Sequence, residues 1–207
     1  MKKPLTPEQR VEKYAAYFDD WGVTPATPYE KMVAVLFKKN PDNNFMAHHA
    51  TTGLAGESGE LRDAYSFDNA IEESGDFRFY MVALRQRLSL RPGGVEQTKE
   101  VVESRFYIPT HGMVMDNLHS LSSNLLDLTK KSWIYGRELK QYEIWQQLSL
   151  LEINFRYWVE EVMGTDVELD VESKNMEKLL TGDNARYKEG IYSDAQALAR
   201  ADKGGEE

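Results

Sequence analysis

The residues best suited to chemistry lie in His48-His49-Ala50-Thr51-Thr52-Gly53-Leu54-Ala55-Gly56-Glu57-Ser58-Gly59-Glu60-Leu61. Glu57 and Glu60 stand three apart, so on a helix they share a face. Twelve residues separate Glu60 from a second acidic pair, Glu73 and Asp76 of Glu73-Ser74-Gly75-Asp76, with the same spacing. If the two helices run antiparallel about a turn near Ser66–Asp68, four carboxylates converge. Such a group repels itself and loses hydration unless a divalent cation neutralises it. Mg²⁺ is the expected ion, with Mn²⁺ as a substitute. Hard cations take oxygen ligands, whereas zinc sites normally include His or Cys.

An ExxE on a solvated helix face is common in a chain with 34 acidic residues. The neighbours set this one apart. Gly53, Gly56 and Gly59 fall inside the first expected helix and Gly75 inside the second, each at a cost of about 1 kcal/mol relative to Ala. The expectation is that these small residues let helices, metal and a bulky ligand approach closely. Leu54, Leu61, Phe77, Tyr80, Met81 and Leu84 flank the acids, which predicts packed surface beside them.

The elements that must position these residues read as helices throughout. The pattern predicts a short helix near Pro7–Phe18, a turn at Trp21–Pro28 and helices over about Tyr29–Lys38, Phe45–Tyr65 and Asp68–Leu90. Asp68 or Asn69 is the expected N-cap of the last of these. Arg91-Pro92-Gly93-Gly94 stops it. A short helix over Glu96–Arg105, two long ones over about Met113–Trp133 and Leu139–Met163, and a final one over roughly Asp166–Leu180 complete the set. The chain after Asn184 reads as loop, ending in a small, charged tail over 199–207.

Composition narrows the classes. The chain has 207 residues, 41% of them hydrophobic, enough for one domain with a sizeable core,. Residues 1–198 are read as that domain, with an active hairpin at about 45–90, a second hairpin at about 113–163 and a C-terminal segment at 166–198. Net charge is −9, which argues against nucleic acid as a partner, because phosphate binding needs a basic face. Cysteine is absent, so disulfides, thiolate metal sites and cysteine nucleophiles are excluded. No apolar run approaches the ~18 residues of a membrane span, and Met1–Arg10 leads into no signal-peptide core. The expectation is a soluble cytoplasmic protein without membrane contact.

The two hairpins resemble each other. Glu60-Leu61-Arg62-Asp63-Ala64 aligns with Asn124-Leu125-Leu126-Asp127-Leu128, and Asp76-Phe77-Arg78-Phe79-Tyr80 with Asn154-Phe155-Arg156-Tyr157-Trp158. In the second copy Glu57, Glu60, Glu73 and Asp76 become Leu121, Asn124, Leu151 and Asn154. Tandem duplication and shared amphipathic patterning both account for this, and both stay open from sequence. Two hairpins with one apolar face each bury it by packing into a four-helix bundle.

GLAGESGEL followed by EESGDFRFYMVAL resembles the MazG-like all-α nucleoside triphosphate pyrophosphohydrolases, the superfamily that includes the dimeric dUTPases, and its phage-encoded members in particular. The family pattern is ExxE, a spacer, then ExxD. The likeness is sharpest over 46–88 and returns at Asn175-Met176-Glu177-Lys178-Leu179 and Arg186-Tyr187-Lys188-Glu189-Gly190. The resemblance implies Mg²⁺-dependent hydrolysis of a nucleoside or deoxynucleoside triphosphate to monophosphate and pyrophosphate, in nucleotide-pool control. By residue matching, Glu57, Glu60, Glu73 and Asp76 would hold the metal. One of the glutamates among them, or neighbouring Glu72, would orient or deprotonate the attacking water. Asn175, Lys178, Arg186 and Tyr187 would contact substrate. His49, with His48, is a candidate for base or phosphate, and also reads as a helix-surface residue. The roughly 91–165 insertion departs from the compact family hairpin. If it is a degenerate copy, it supplies partner helices within one chain, and homodimerisation becomes optional.

The competing reading is a catalytically silent helical interaction protein that kept the fold. The intact carboxylate set weighs against it. A di-iron bundle needs ExxH pairs, and no Glu here has a His three residues later.

Overall fold

The computed structural model describes residues 25–88, 111–187 and 189–199. The expected helices over 7–18 and 96–105, the stop at 91–94 and the tail after Ala199 lie outside them. The fold is all-α, with no strand among the described residues.

Local chemistry starts each helix. α1 (Pro28–Leu36) opens on a capping box: the Thr27 side chain accepts the Glu30 N–H while Glu30 accepts the Thr27 N–H,. α2 (Asn43–Arg62) is capped by Asp42, which accepts from the backbone of Asn44 and Phe45,. α3 (Phe67–Arg87) is capped by Ser66, whose Oγ accepts the Asn69 N–H, rather than by Asp68 or Asn69. The hydroxyl one turn earlier wins because its backbone is already extended, with φ −147°. α4 spans His111–Trp133 and α5 spans Gln141–Arg156, continuing as a π-helical turn over Tyr157–Val162.

The final expected helix is real but irregular. It runs as a π-helical stretch (Val167–Glu172), one α-helical turn (α6, Ser173–Met176) and a second π-helical stretch (Glu177–Thr181). Wide turns of this kind cluster at functional sites. The segment read as loop beyond Asn184 holds a short helix, α7 (Asp194–Ala199), tied back by an ion pair between Asp194 and Lys38 at 2.8 Å.

α2 packs against both α3 and α4, α4 against α5, and α5 touches α3. The core between them includes Leu54, Phe77, Leu84, Leu118, Leu125, Leu151 and Phe155, all buried. Positions aligned by the internal repeat meet there. Phe77 stacks on Phe155 with ring centroids 5.6 Å apart. Their neighbours Arg78 and Arg156 both bond Glu152, and Arg78 also reaches Glu172 at 2.9 Å. Leu151, which the sequence alignment of the two hairpins matches to Glu73, is fully buried. The 167–181 segment lies against α3 and α1, which brings Asn175 and Lys178 beside the first hairpin. No described helix is long and apolar enough to cross a membrane.

Candidate metal centre

α2 and α3 are joined by only Asp63–Ser66, so their acidic faces are held side by side. Glu57, Glu60 and Glu73 each offer a carboxylate oxygen, and these oxygens lie within 4.8 Å of one another. Glu60 is exposed, Glu57 half-buried and Glu73 buried at 6% exposure. Glu73 Oε1 accepts from Asn69 Nδ2 at 2.9 Å. Glu73 Oε2 is buried and has no hydrogen-bond partner among the described residues. A buried carboxylate oxygen without a donor is costly. A cation coordinated here would satisfy it. The donor set is all oxygen, which suits a hard divalent ion.

Crowding shows in the proton affinities. Burial, followed by the charges of Asp76, Glu60 and Glu73, pushes the Glu57 carboxyl up to about 8. Burial and Asp76 likewise raise Glu73, against the Asn69 hydrogen bond. Both shifts say that negative charge is over-concentrated here.

Asp76 faces the same region but is differently served. Its Oδ1 accepts from Asn175 Nδ2 at 2.9 Å and its Oδ2 from Lys178 Nζ at 2.6 Å. Lys178 also pairs with Glu72 at 2.8 Å. Burial disfavours the Lys178 charge, but Asp76 and Glu72 more than offset it and hold its pKa above the ordinary lysine value. Asn175 is itself buried, and its Oδ1 accepts from the Tyr29 hydroxyl at 3.1 Å. Its amide is therefore committed to Asp76 and Tyr29, which differs from the direct substrate contact that the sequence resemblance implies.

A cavity of about 190 Å³ opens beside the acids. Glu57, Glu60 and Asp76 line one part, and Phe37, His49, Tyr80, Arg186, Tyr187 and Tyr192 line the rest. His49 stacks on Phe37 with centroids 4.7 Å apart, and burial and the Lys38 charge lower its pKa. His48 points elsewhere, stacking on Trp133 at 5.0 Å. Glu72 lines a second cavity, of about 400 Å³, with Lys174, Asn175 and Lys178. The expected site residues thus divide. His49, Arg186 and Tyr187 share a cavity with Glu57, Glu60 and Asp76; Glu73 completes the carboxylate group; and Glu72 lies on the far side of Lys178.

The glycines also divide. A Cβ on Gly53 would fall 2.4 Å from the Tyr80 ring, and one on Gly75 would fall 2.8 Å from Asn175 Cβ. Close approach holds at these two. Gly56 and Gly59 face open space, with nothing within 4 Å of an added Cβ, so no packing contact accounts for them.

Sequence reasoning passed over Tyr29, Asn69, Phe37 and Tyr192. Tyr29, Phe37 and Tyr192 reach the acids only through tertiary packing, whereas Asn69 stands one helical turn before Glu73 on α3. Arg85, in the last turn of α3, is buried and paired with Glu30.

No protein-family model matches the chain, and neither a curated protein nor a solved structure matches it.

Proposed function

We propose that the protein is a divalent-metal-dependent hydrolase of nucleoside or deoxynucleoside triphosphates, releasing the monophosphate and pyrophosphate. The observation that carries this reading is the convergence of Glu57, Glu60 and Glu73, with a buried Glu73 oxygen lacking any donor, at the edge of an aromatic-lined cavity. The sequence resemblance to MazG-like pyrophosphohydrolases supplies the reaction class, and the helices α2–α5 are read as the corresponding four-helix bundle.

Glu57, Glu60 and Glu73, with Asp76 beside them, would hold Mg²⁺. The ion supplies charge neutralisation for the triphosphate and for the leaving pyrophosphate. The residues of this chain do the rest. Lys178, paired with Asp76 and Glu72, and Arg186, in the wall of the cavity, would supply positive charge toward phosphate oxygens,. The partly exposed rings of His49, Tyr80 and Tyr192 line the cavity and offer flat surface for a base,. Water adds to the α-phosphorus, the bond from that phosphorus to the bridging oxygen breaks, and the water's proton passes to a carboxylate of the group. In a cell the role is nucleotide-pool control.

The test is hydrolysis of the common NTPs and dNTPs with Mg²⁺ or Mn²⁺, resolving pyrophosphate from orthophosphate. Pyrophosphate plus monophosphate, lost on chelation and in Glu60→Ala, is the expected result. Orthophosphate as the first product would overturn the reaction assignment. No turnover with either ion would shift the reading to a silent helical interaction protein.

A further inference from the structure

We propose that Tyr29 is a positioning residue for the carboxylate site, acting through Asn175 on Asp76; this rests on the metal-site reading above. Tyr29 belongs to α1, remote in sequence from every acid, and is 2% exposed. Its hydroxyl lies 3.1 Å from Asn175 Oδ1 and 3.2 Å from the Gly75 carbonyl, and its one proton serves both acceptors. Holding Oδ1 in this way turns the other end of the amide, Nδ2, onto Asp76 Oδ1. The reverse orientation would set an amide oxygen against a carboxylate.

The link is rigid because its members are buried and closely packed. Asn175 is 3% exposed. The backbone of α3 comes so near it at Gly75 that any Cβ there would meet Asn175 Cβ at 2.8 Å. Asp76 follows Gly75 directly, so the same contact sets the position of the acid along α3. Three elements are pinned together at one point: α1 through Tyr29, α3 through Gly75 and the 167–181 segment through Asn175. Asp76 is left with one oxygen fixed by Asn175 and the other facing Lys178. Outer partners of this kind orient a ligating carboxylate, and losing one typically weakens metal affinity about 10–100-fold.

The experiment measures Mn²⁺ affinity of the full chain by water-proton relaxation, for the wild type and for Tyr29→Phe. Tyr29→Phe keeps the ring and deletes the donor. The expected result is about 10-fold weaker Mn²⁺ binding, at the low end of the outer-partner range, with kcat lowered and KM for the nucleotide little changed. Gly75→Ala, whose new Cβ would meet Asn175 Cβ at 2.8 Å and displace it, should weaken Mn²⁺ binding in the same direction. Val33→Ala, a fully buried neighbour on α1 outside the link, is the control for general loosening and should keep wild-type affinity. Wild-type Mn²⁺ affinity in Tyr29→Phe overturns the proposal and leaves the metal site standing. An equal loss in Val33→Ala also overturns it, since the effect would then be destabilisation of α1. Absence of Mn²⁺ binding by the wild type overturns both this link and the metal-site reading.

Discussion

Neutralising Glu57 should stabilise the protein while abolishing its function. The Glu57 carboxyl, ordinarily near 4.5, is pushed up to about 8 by burial and by Asp76, Glu60 and Glu73. Between these two values the folded chain holds a proton that the unfolded chain has released. Stability must therefore fall as pH rises through that window. The slope is at most about 1.4 kcal/mol per pH unit, so the loss is on the order of 5 kcal/mol across the window. Glu57→Gln keeps the shape and removes the titration. In EDTA at pH 8.5 the variant should melt above the wild type. For a chain of this size each kcal/mol moves Tm by roughly 2–4 °C, so the gap should be roughly 10–20 °C. At pH 5, where the wild-type side chain is protonated, the two should melt together. Saturating Mg²⁺ at pH 8.5 should narrow this gap without closing it, because a ligand at 100 times its Kd adds about 2.7 kcal/mol to a folded state that can bind it. The assay is thermal unfolding by circular dichroism at both pH values, with and without metal. A gap that is the same at pH 5 and 8.5, or a variant that melts below the wild type at pH 8.5 in EDTA, would refute the reasoning.

Other expected outcomes bear on different parts of the structure. Gly56→Ala should raise stability by about 0.5–1 kcal/mol, since it relieves helix-interior glycine with open space around the new methyl,. Gly53→Ala should cost about 1–3 kcal/mol by overpacking and should raise KM, because the displaced Tyr80 ring lines the cavity; urea titration and steady-state kinetics measure the two. Arg78→Met should cost about 3–5 kcal/mol in the same urea experiment, because it strips Glu152 and Glu172 of a buried cation,. Lys178→Gln should shift the onset of Mg²⁺ binding to higher pH, since the Lys178 charge lowers the Glu57 pKa against burial and the neighbouring acids; calorimetric Mg²⁺ titrations from pH 6 to 9 would show it.

Much of this was legible from the order of residues. The spacing of Glu57, Glu60 and Glu73 is helical, and a short connection is enough to set two such faces side by side. The all-α character followed from the period of the apolar positions, because that period is a local property of the chain. The apolar character of Leu151, matched to Glu73 in the alignment of the two hairpins, was visible as a residue type, and the structure buries that leucine. Gly53 and Gly75 as points of close approach were also readable, since a mid-helix glycine costs stability unless something occupies the space of its side chain.

Tertiary structure alone decided the rest. That Asp76 meets Lys178 and Asn175 depends on where a segment about a hundred residues further along the chain comes to lie, and no local pattern encodes that distance. The same holds for Tyr29, whose spacing marks it only as one more apolar residue of α1 until its hydroxyl is seen against Asn175. In the Arg78–Glu152–Arg156 cluster, Glu152 and Arg156 form a local i,i+4 pair, whereas Arg78 reaches the same carboxylate from another helix only through tertiary packing. Gly56 and Gly59 looked the same as Gly53 in sequence, and what separates them is whether a neighbouring helix fills the space in front. Helical periodicity fixes which side chains share a face, whereas the partner across that face is set by how the elements pack.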